Sequence, residues 1–183
     1  MVLLVVDIQK GITDERLYHF DEFIKNTVRI IETARKNNVE VIYIQHDDGP
    51  GTGFSIGDDE FEIADQVKPA QGEKRYIKET NSCFGNKELA GYLEEKKEDT
   101  LMIVGLQTNF CIDATVKSAF DRGYKVVIPK GTNSTFDNDY MDKETTYKYY
   151  NEMMWPKRFA DCISVEEAVA QILGDTPIAS KKI

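Results

Sequence analysis

The sequence predicts an α/β fold, a single three-layer α/β/α domain on a mostly parallel, roughly six-stranded, Rossmann-like sheet. Short β-branched runs alternate with amphipathic stretches, which is typical of a parallel sheet with helices on both faces. The run Val2–Val6 is apolar at every position, as expected of a strand buried on both faces. The 183 residues suit one ordinary domain over 1–183, large enough to fold without a disulfide or a structural metal.

Six short apolar or β-branched runs are the predicted strands. They are residues 2–6, 39–44, 75–77, 100–104, 125–128 and a short run near 162–163. Segments with helical spacing or loop composition separate the runs. Crossover connections of that kind join parallel rather than antiparallel strands.

Five segments are predicted as helices, namely residues 21–37, 87–96, 109–121, 143–155 and 164–173. The first places apolar residues from Phe23 onward on a single helical face. Gly123 ends the third helix and Pro156 ends the fourth. Ser164 and Glu167 form a capping box that opens the last helix. The polar tail after residue 174 is expected to fray.

Charge and composition exclude several classes of partner. The chain has 23 Lys and Arg against 32 Asp and Glu, a net charge of −9, and no basic cluster. This argues against nucleic acid and against an anionic membrane surface. No stretch approaches the ~20 apolar residues of a membrane span, and the first strand lacks the positive segment of a signal peptide.

Three cysteines, Cys83, Cys111 and Cys162, show neither C-x-x-C nor zinc-site spacing. Free thiols of this kind are typical of a reducing compartment, so we expect a cytoplasmic protein. A cysteine more often serves packing than catalysis, and that is the interpretation for Cys83 and Cys162.

An acid, a base and a thiol follow three of the predicted strands. Asp7 follows the first strand, Lys78 follows the third, and Cys111 begins a helix six residues after Gly105. Ligands bind at this edge of a parallel sheet. An ammonium and a helix N-terminus favour the thiolate, and a carboxylate can take and return the thiol proton. The three groups are sufficient for acyl transfer.

These residues lie in segments that resemble the isochorismatase-like cysteine hydrolases, which include nicotinamidases and other small-amide hydrolases. The segments are residues 3–9 (LLVVDIQ), 75–86 (RYIKETNSCFGN) and 105–115 (GLQTNFCIDAT). The third, with its Gly-x-x-Thr-x-x-Cys pattern, is the most specific. The resemblance covers nearly the whole chain and is weakest over residues 131–155.

The resemblance implies a catalytic triad of Asp7, Lys78 and Cys111. It also implies a cis peptide bond between Leu106 and Gln107, and an oxyanion hole built from the backbone N–H groups of Gln107 and Cys111. The implied activity is cysteine-dependent hydrolysis of a small molecule, most simply at an amide C–N bond, through a thioester. The resemblance further implies a homo-oligomer, a dimer or a tetramer.

No metal or other cofactor is expected. Nicotinamidases bind a metal through an Asp-x-His pair, but here the region after the second strand reads Gln-His-Asp-Asp over residues 45–48. Zinc usually takes several His or Cys ligands. The open alternatives are a metal held by His46 with Asp47 or Asp48, or His46 as a polar residue at the rim of the pocket.

Aromatic and hydroxyl side chains near the motifs are candidate pocket residues, each with an ordinary core or turn alternative. Together with His46 they are Phe54, Phe84, Phe110, Phe136, Thr132 and Ser134. The motifs contain or adjoin no arginine except Arg75 and Arg122, and a dianionic substrate would recruit more. We therefore expect a small neutral or singly charged amide.

Two other functions stay open. One is an isochorismatase-type vinyl-ether hydrolase, which would share Asp7 and Lys78. The other is a non-catalytic binding protein on the same fold. The aromatic segment 147–155, which ends in Trp155, is either an oligomer interface or packs on the sheet.

Overall fold

A computed structural model of the protein describes residues 1–175 and contains one seven-stranded sheet in which all strand pairs are parallel. The strands are β1 (Val2–Val6), β2 (Glu40–His46), β3 (Lys74–Lys78), β4 (Thr100–Leu106), β5 (Lys125–Pro129), β6 (Asn133–Ser134) and β7 (Asp161–Ile163). Their order is β3-β2-β1-β4-β5-β7, with β6 paired to the end of β4. The six predicted strands are confirmed, and β6 is additional. The tail expected to fray, residues 176–183, lies outside the described range.

The α-helices are α1 (Phe20–Lys36), α2 (Lys87–Lys96), α3 (Asp113–Asp121), α4 (Lys143–Lys148) and α5 (Val165–Leu173). The capping box at the start of α5 is present, because Ser164 and Glu167 each accept a backbone hydrogen bond from the other. Two predicted helices contain π-helical turns instead of a continuous α-helix. These turns are Thr108–Ile112, before α3, and Tyr149–Met154, after α4. An apolar spacing that suits an α-helix does not detect them.

The helices cover both faces of the sheet. Side chains alternate along β1, so Leu3 and Val5 pack with α1 and α5, whereas Leu4 and Val6 pack with α2 and α3. Every residue of β1 is buried, and this explains its uniformly apolar sequence. The α/β/α layering predicted for the chain is therefore confirmed.

The aromatic segment 147–155 packs on the sheet through its last residue. Trp155 is fully buried in the core, and its ring N–H donates to Asp113 Oδ1 at 2.9 Å. An interface role for Trp155 is therefore wrong, while Tyr149 and Met153 are exposed. The oligomer itself stays a prediction. Within residues 1–175, no helix combines the length and the apolar character needed to cross a membrane.

The carboxyl ends of β1, β2, β3 and β4 meet at one edge of the sheet. Val6 pairs with Ile44 and with Gly105, and His46 pairs with Lys78. Gly105 has φ +135°, and a Cβ placed there would lie 1.9 Å from the carbonyl oxygen of Val6. Only glycine therefore allows β4 to end this close to the residue before Asp7.

Candidate active site

The structure brings Asp7, Lys78 and Cys111 together at this edge of the sheet. The Lys78 ammonium donates to Asp7 Oδ2 at 2.8 Å and to Cys111 Sγ at 3.3 Å. The Lys78 and Asp7 side chains are 0% and 2% exposed. A buried ion pair in contact with a thiol can take part in proton transfer to and from the sulfur.

Backbone geometry aims the Asp7 carboxylate into the site. Asp7 has φ 52°, and its N–H donates to the carbonyl of Ile44 in β2 at 2.9 Å. Aspartate tolerates this left-handed conformation better than most residues. The chain therefore leaves β1 at Asp7, with the residue still tied to β2.

Cys111 lies in the π-helical turn that follows β4. The peptide bond between Leu106 and Gln107 is cis, at the position that the resemblance implies. The Gln107 carbonyl accepts from the N–H groups of Phe110 and Ile112, at 3.1 and 3.2 Å. Both bonds fold the loop back on Gln107, and neither uses the N–H of Cys111, which lies between the two donors in sequence.

The thiol keeps its proton in the resting site. Burial raises the pKa of Cys111 to about 12, and the Asp7 charge adds to the effect while Lys78 opposes it. Burial also raises the pKa of Asp7, against the attraction of Lys78. Burial alone would lower the pKa of Lys78, but the Asp7 charge and the hydrogen bond to Asp7 raise it. A neutral thiol beside an ammonium therefore needs a base before it can attack.

That base is available in one oxygen of Asp7. Oδ2 accepts from Lys78, whereas Oδ1 is buried and has no hydrogen bond within residues 1–175. One carboxylate oxygen of Asp7 lies within 4.8 Å of Cys111 Sγ. Buried carboxylate oxygens are normally hydrogen-bonded, so an unbonded oxygen on a carboxylate this close to a thiol indicates a functional role.

His46 completes the group around the ammonium. Its Nδ1 lies 3.1 Å from Lys78 Nζ, and its Nε2 lies 2.9 Å from Asp48 Oδ1. Ligand atoms of Asp7, His46 and Cys111 lie within 4.8 Å of one another, a spacing that could hold a metal. However, Lys78 Nζ contacts all three residues, and a metal ion would have to displace that cation. The residues therefore fit an ammonium-centred site, and the Asp47 carboxylate instead accepts from the N–H of Gly49.

Two exposed residues adjoin Cys111, one polar and one aromatic. Asn81 is exposed, and its Oδ1 lies 3.7 Å from Cys111 Sγ. Phe110 is 51% exposed beside Cys111, which is itself 9% exposed. Phe54 and Phe136 are half-buried. The ring of Phe54 packs over Gly11, and the ring of Phe136 lies under the Arg16 guanidinium.

Three candidate pocket residues are core residues instead. The ring of Phe84 stacks on Tyr124 at 5.8 Å within the core. Thr132 and Ser134 are fully buried, and their hydroxyls donate to the carbonyls of Pro129 and Tyr18. Both side chains are buried and their hydroxyl protons are used within the protein, so neither hydroxyl has a free proton to donate to a substrate.

Sequence reasoning missed a buried amide network under the Cys111 loop. Asn133 in β6 accepts from the Thr108 hydroxyl at 2.7 Å and exchanges hydrogen bonds with Asn151. Gln9 was also missed. It is fully buried and binds both backbone groups of His46, at 2.8 and 3.0 Å. A polar residue just after an apolar strand was the available signal for Gln9.

Comparison with known proteins places these features among hydrolases. Residues 1–167 match the model of the isochorismatase domain family. A streptothricin hydrolase of Streptomyces noursei is 27% identical over 137 residues, which are 74% of this chain and 54% of that protein. The ureidoacrylate amidohydrolase RutB of Yersinia enterocolitica is 23% identical over 210 residues, covering 92% of this chain and 91% of that protein. A crystal structure of an isochorismatase family protein has a TM-score of 0.81 and 27% identity, covering 89% of this chain and 97% of that one.

Proposed function

The chain belongs to the isochorismatase family of hydrolases, and we propose that it is a cysteine-dependent hydrolase that cleaves an amide C–N bond of a small molecule. The open Oδ1 of Asp7 carries the proposal. It lies in a site where the thiol is neutral and Lys78 already contacts the sulfur. A base beside a neutral thiol has a purpose only if the thiol loses its proton during the reaction.

In the first half-reaction, Asp7 accepts the proton of Cys111 as the sulfur attacks the carbonyl carbon. The Lys78 ammonium, 3.3 Å from the sulfur, stabilises the negative charge that forms there. The backbone N–H groups of Gln107 and Cys111 hold the oxyanion of the tetrahedral intermediate. Asp7 then gives its proton to the leaving nitrogen, the C–N bond breaks, and ammonia or an amine leaves a thioester on Cys111.

In the second half-reaction, water enters after the amine has left and attacks the thioester. Asp7, again a carboxylate, accepts a proton from the water as its oxygen attacks the thioester carbonyl. The C–S bond then breaks, the acid product leaves, and the proton held by Asp7 returns to the sulfur. The raised pKa of Asp7 favours this role, because the carboxyl must hold a proton transiently in both halves.

A small substrate without a large negative charge suits this site. Lys78 is fully buried and its protons are taken by protein groups, so it offers no free cation to a substrate carboxylate. The chain carries a net charge of −9, and Asp47 and Asp48 follow His46 directly. Among the relatives, an amidohydrolase that acts on a ureido compound supports the choice of an amide or carbamoyl group.

Ammonia release from a panel of small amides tests the proposal. The panel includes nicotinamide and N-carbamoyl compounds, and Cys111→Ala is assayed beside the wild type. We expect release by the wild type and none by Cys111→Ala. Cys83→Ala is the matched control and should release ammonia at the wild-type rate. Turnover of the same amide by Cys111→Ala would contradict the proposal.

Vinyl-ether hydrolysis is the second candidate, and the raised pKa of Asp7 favours it. A carboxyl that holds its proton more strongly can protonate the vinyl carbon, and that reaction needs no thiol nucleophile. Cys111→Ala therefore separates the two reactions. Vinyl-ether turnover survives the substitution, and amide turnover does not.

A further inference from the structure

The Lys78 ammonium has three protons and three partners. Asp7 Oδ2 and Cys111 Sγ take two of them, and His46 Nδ1, at 3.1 Å, takes the third. The Lys78 side chain is wholly buried, so water does not substitute for a lost partner. Three acceptors in different directions fix an ammonium group, whereas two leave it free to rotate about the remaining contacts.

These contacts define the tautomer of His46. An ammonium only donates hydrogen bonds, so Nδ1 must be the acceptor and the ring proton must lie on Nε2. Nε2 faces Asp48 Oδ1 at 2.9 Å, which is a suitable acceptor for that proton. A chain of hydrogen bonds thus runs from Asp48 through His46 to Lys78 and the sulfur.

The backbone holds His46 firmly in this place. His46 and Lys78 are register partners in β2 and β3, and the next N–H, that of Asp47, donates to the Lys78 carbonyl at 2.9 Å. Gln9 binds the His46 N–H and carbonyl from the other side. The imidazole is therefore anchored on rigid strands and not on a mobile loop.

We propose that His46 is a positioning residue for the hydrolase, holding the Lys78 ammonium at the distance from Asp7 and Cys111 that the thiol chemistry requires. It touches neither the substrate carbonyl nor the leaving group. Its effect passes through Lys78, and Asp48 keeps its ring in the accepting tautomer. The inference rests on the proposed function, because it assigns His46 to the same reaction.

His46→Leu removes the acceptor at nearly constant volume, and His46→Asn restores an oxygen near the position of Nδ1. We expect His46→Leu to lower kcat by about 10- to 100-fold with KM little changed, because a misplaced catalytic group has an effect of this size. His46→Asn should recover most of the loss. His19→Leu, which changes an exposed histidine paired with Glu22, is the control and should leave kcat unchanged.

A second readout needs no substrate. Iodoacetamide labelling of Cys111 at a fixed, mildly alkaline pH follows the thiolate, which a well-placed ammonium favours. We expect labelling to slow at least about threefold in His46→Leu and to recover in His46→Asn. If His46→Leu labels more slowly but the wild type hydrolyses no amide, the positioning role is supported and the proposed function is refuted. Wild-type labelling and kcat in a folded His46→Leu variant would refute the positioning role and leave the proposed function standing.

Discussion

Two turns of the molecule each carry a buried cysteine, and only one of them forms a candidate catalytic site. Cys83 follows β3 and Cys111 follows β4, and burial raises the pKa of both thiols to about 12. The sulfur of Cys83 accepts from the Thr115 hydroxyl at 3.3 Å. The sulfur of Cys111 instead accepts from the Lys78 ammonium at the same distance.

The comparison teaches that thiol pKa does not distinguish the proposed nucleophile, Cys111, from Cys83. Two other features do. One is exposure to solvent, and the other is a neighbouring carboxylate with an oxygen that accepts no hydrogen bond from the described residues. Cys83 is fully buried, whereas Cys111 is 9% exposed and has a carboxylate oxygen of Asp7 within 4.8 Å of its sulfur. Within residues 1–175, Asp7 Oδ1 accepts no hydrogen bond. A thiol that stays protonated at rest resists oxidation, and an adjacent base allows it to react when a substrate is bound.

The largest expected difference between the turns is in turnover. Cys111→Ala should lower kcat by at least about 10⁴-fold, because no other group of the site can form the thioester. Cys83→Ala should change stability by about 1 kcal/mol and kcat hardly at all. Steady-state kinetics and urea denaturation of both variants check the pair. Similar kinetic losses in both would show that the turns do not differ as described.

Asp7→Asn tests whether the pKa of the Cys111 thiol and kcat change in opposite senses. The Asp7 charge raises the pKa of Cys111, so the variant should have a lower thiol pKa and faster iodoacetamide labelling at a given pH. Its kcat should nevertheless fall by about 10²- to 10⁴-fold, since an amide cannot accept the proton. The pH dependence of labelling and the kinetics of hydrolysis are measured on the same preparation. A variant with faster labelling and undiminished turnover would refute the role of Asp7 as base.

Gly105→Ala tests the close approach that places the Cys111 turn beside Asp7. The new Cβ would clash with the Val6 carbonyl at a backbone conformation that alanine adopts poorly, so we expect a loss of about 3 kcal/mol or more. Gly91 lies inside α2 with nothing near its missing Cβ. Gly91→Ala should therefore stabilise the protein by about 0.5–1 kcal/mol. Denaturation midpoints of the two variants should move in opposite directions.

Thr115→Val concerns only the Cys83 turn. It removes the acceptor of the Cys83 N–H, at 3.1 Å, and the donor to its sulfur. A buried N–H left without a partner costs about 1–3 kcal/mol, with turnover little affected. Thr33→Val, at a hydroxyl that only donates to the Arg29 carbonyl one turn earlier, should cost less than about 0.5 kcal/mol. A marked kinetic defect in Thr115→Val would show that the two turns act together.

Local signals predicted most of the fold. The apolar run of β1 and the capping box of α5 each depend only on residues close together in sequence, and both are present. The strand β6 has two polar residues and exists only because it pairs with the end of β4, so its sequence is typical of a turn. The burial of Trp155 likewise depends on a distant partner, the Asp113 carboxylate.

The residues of the site also divide into those that local sequence predicts and those that depend on distant contacts. Asp7, Lys78 and Cys111 could be proposed because each follows a predicted strand, and strand ends meet at one edge. The contact of His46 with Lys78 depends on the register between β2 and β3, which the sequence does not contain. Three candidate pocket residues have types that suit a pocket as well as a core, and the structure buries all three in the core. They are Phe84, Thr132 and Ser134.

Trapping of the thioester tests the central claim most directly. Hydroxylamine competes with water for a thioester and converts the acyl group to a hydroxamate. With an amide that the wild type hydrolyses, we expect hydroxamate in proportion to hydroxylamine concentration, and none with Cys111→Ala. Hydrolysis by the wild type without any hydroxamate, at every hydroxylamine concentration, would contradict a covalent intermediate on Cys111.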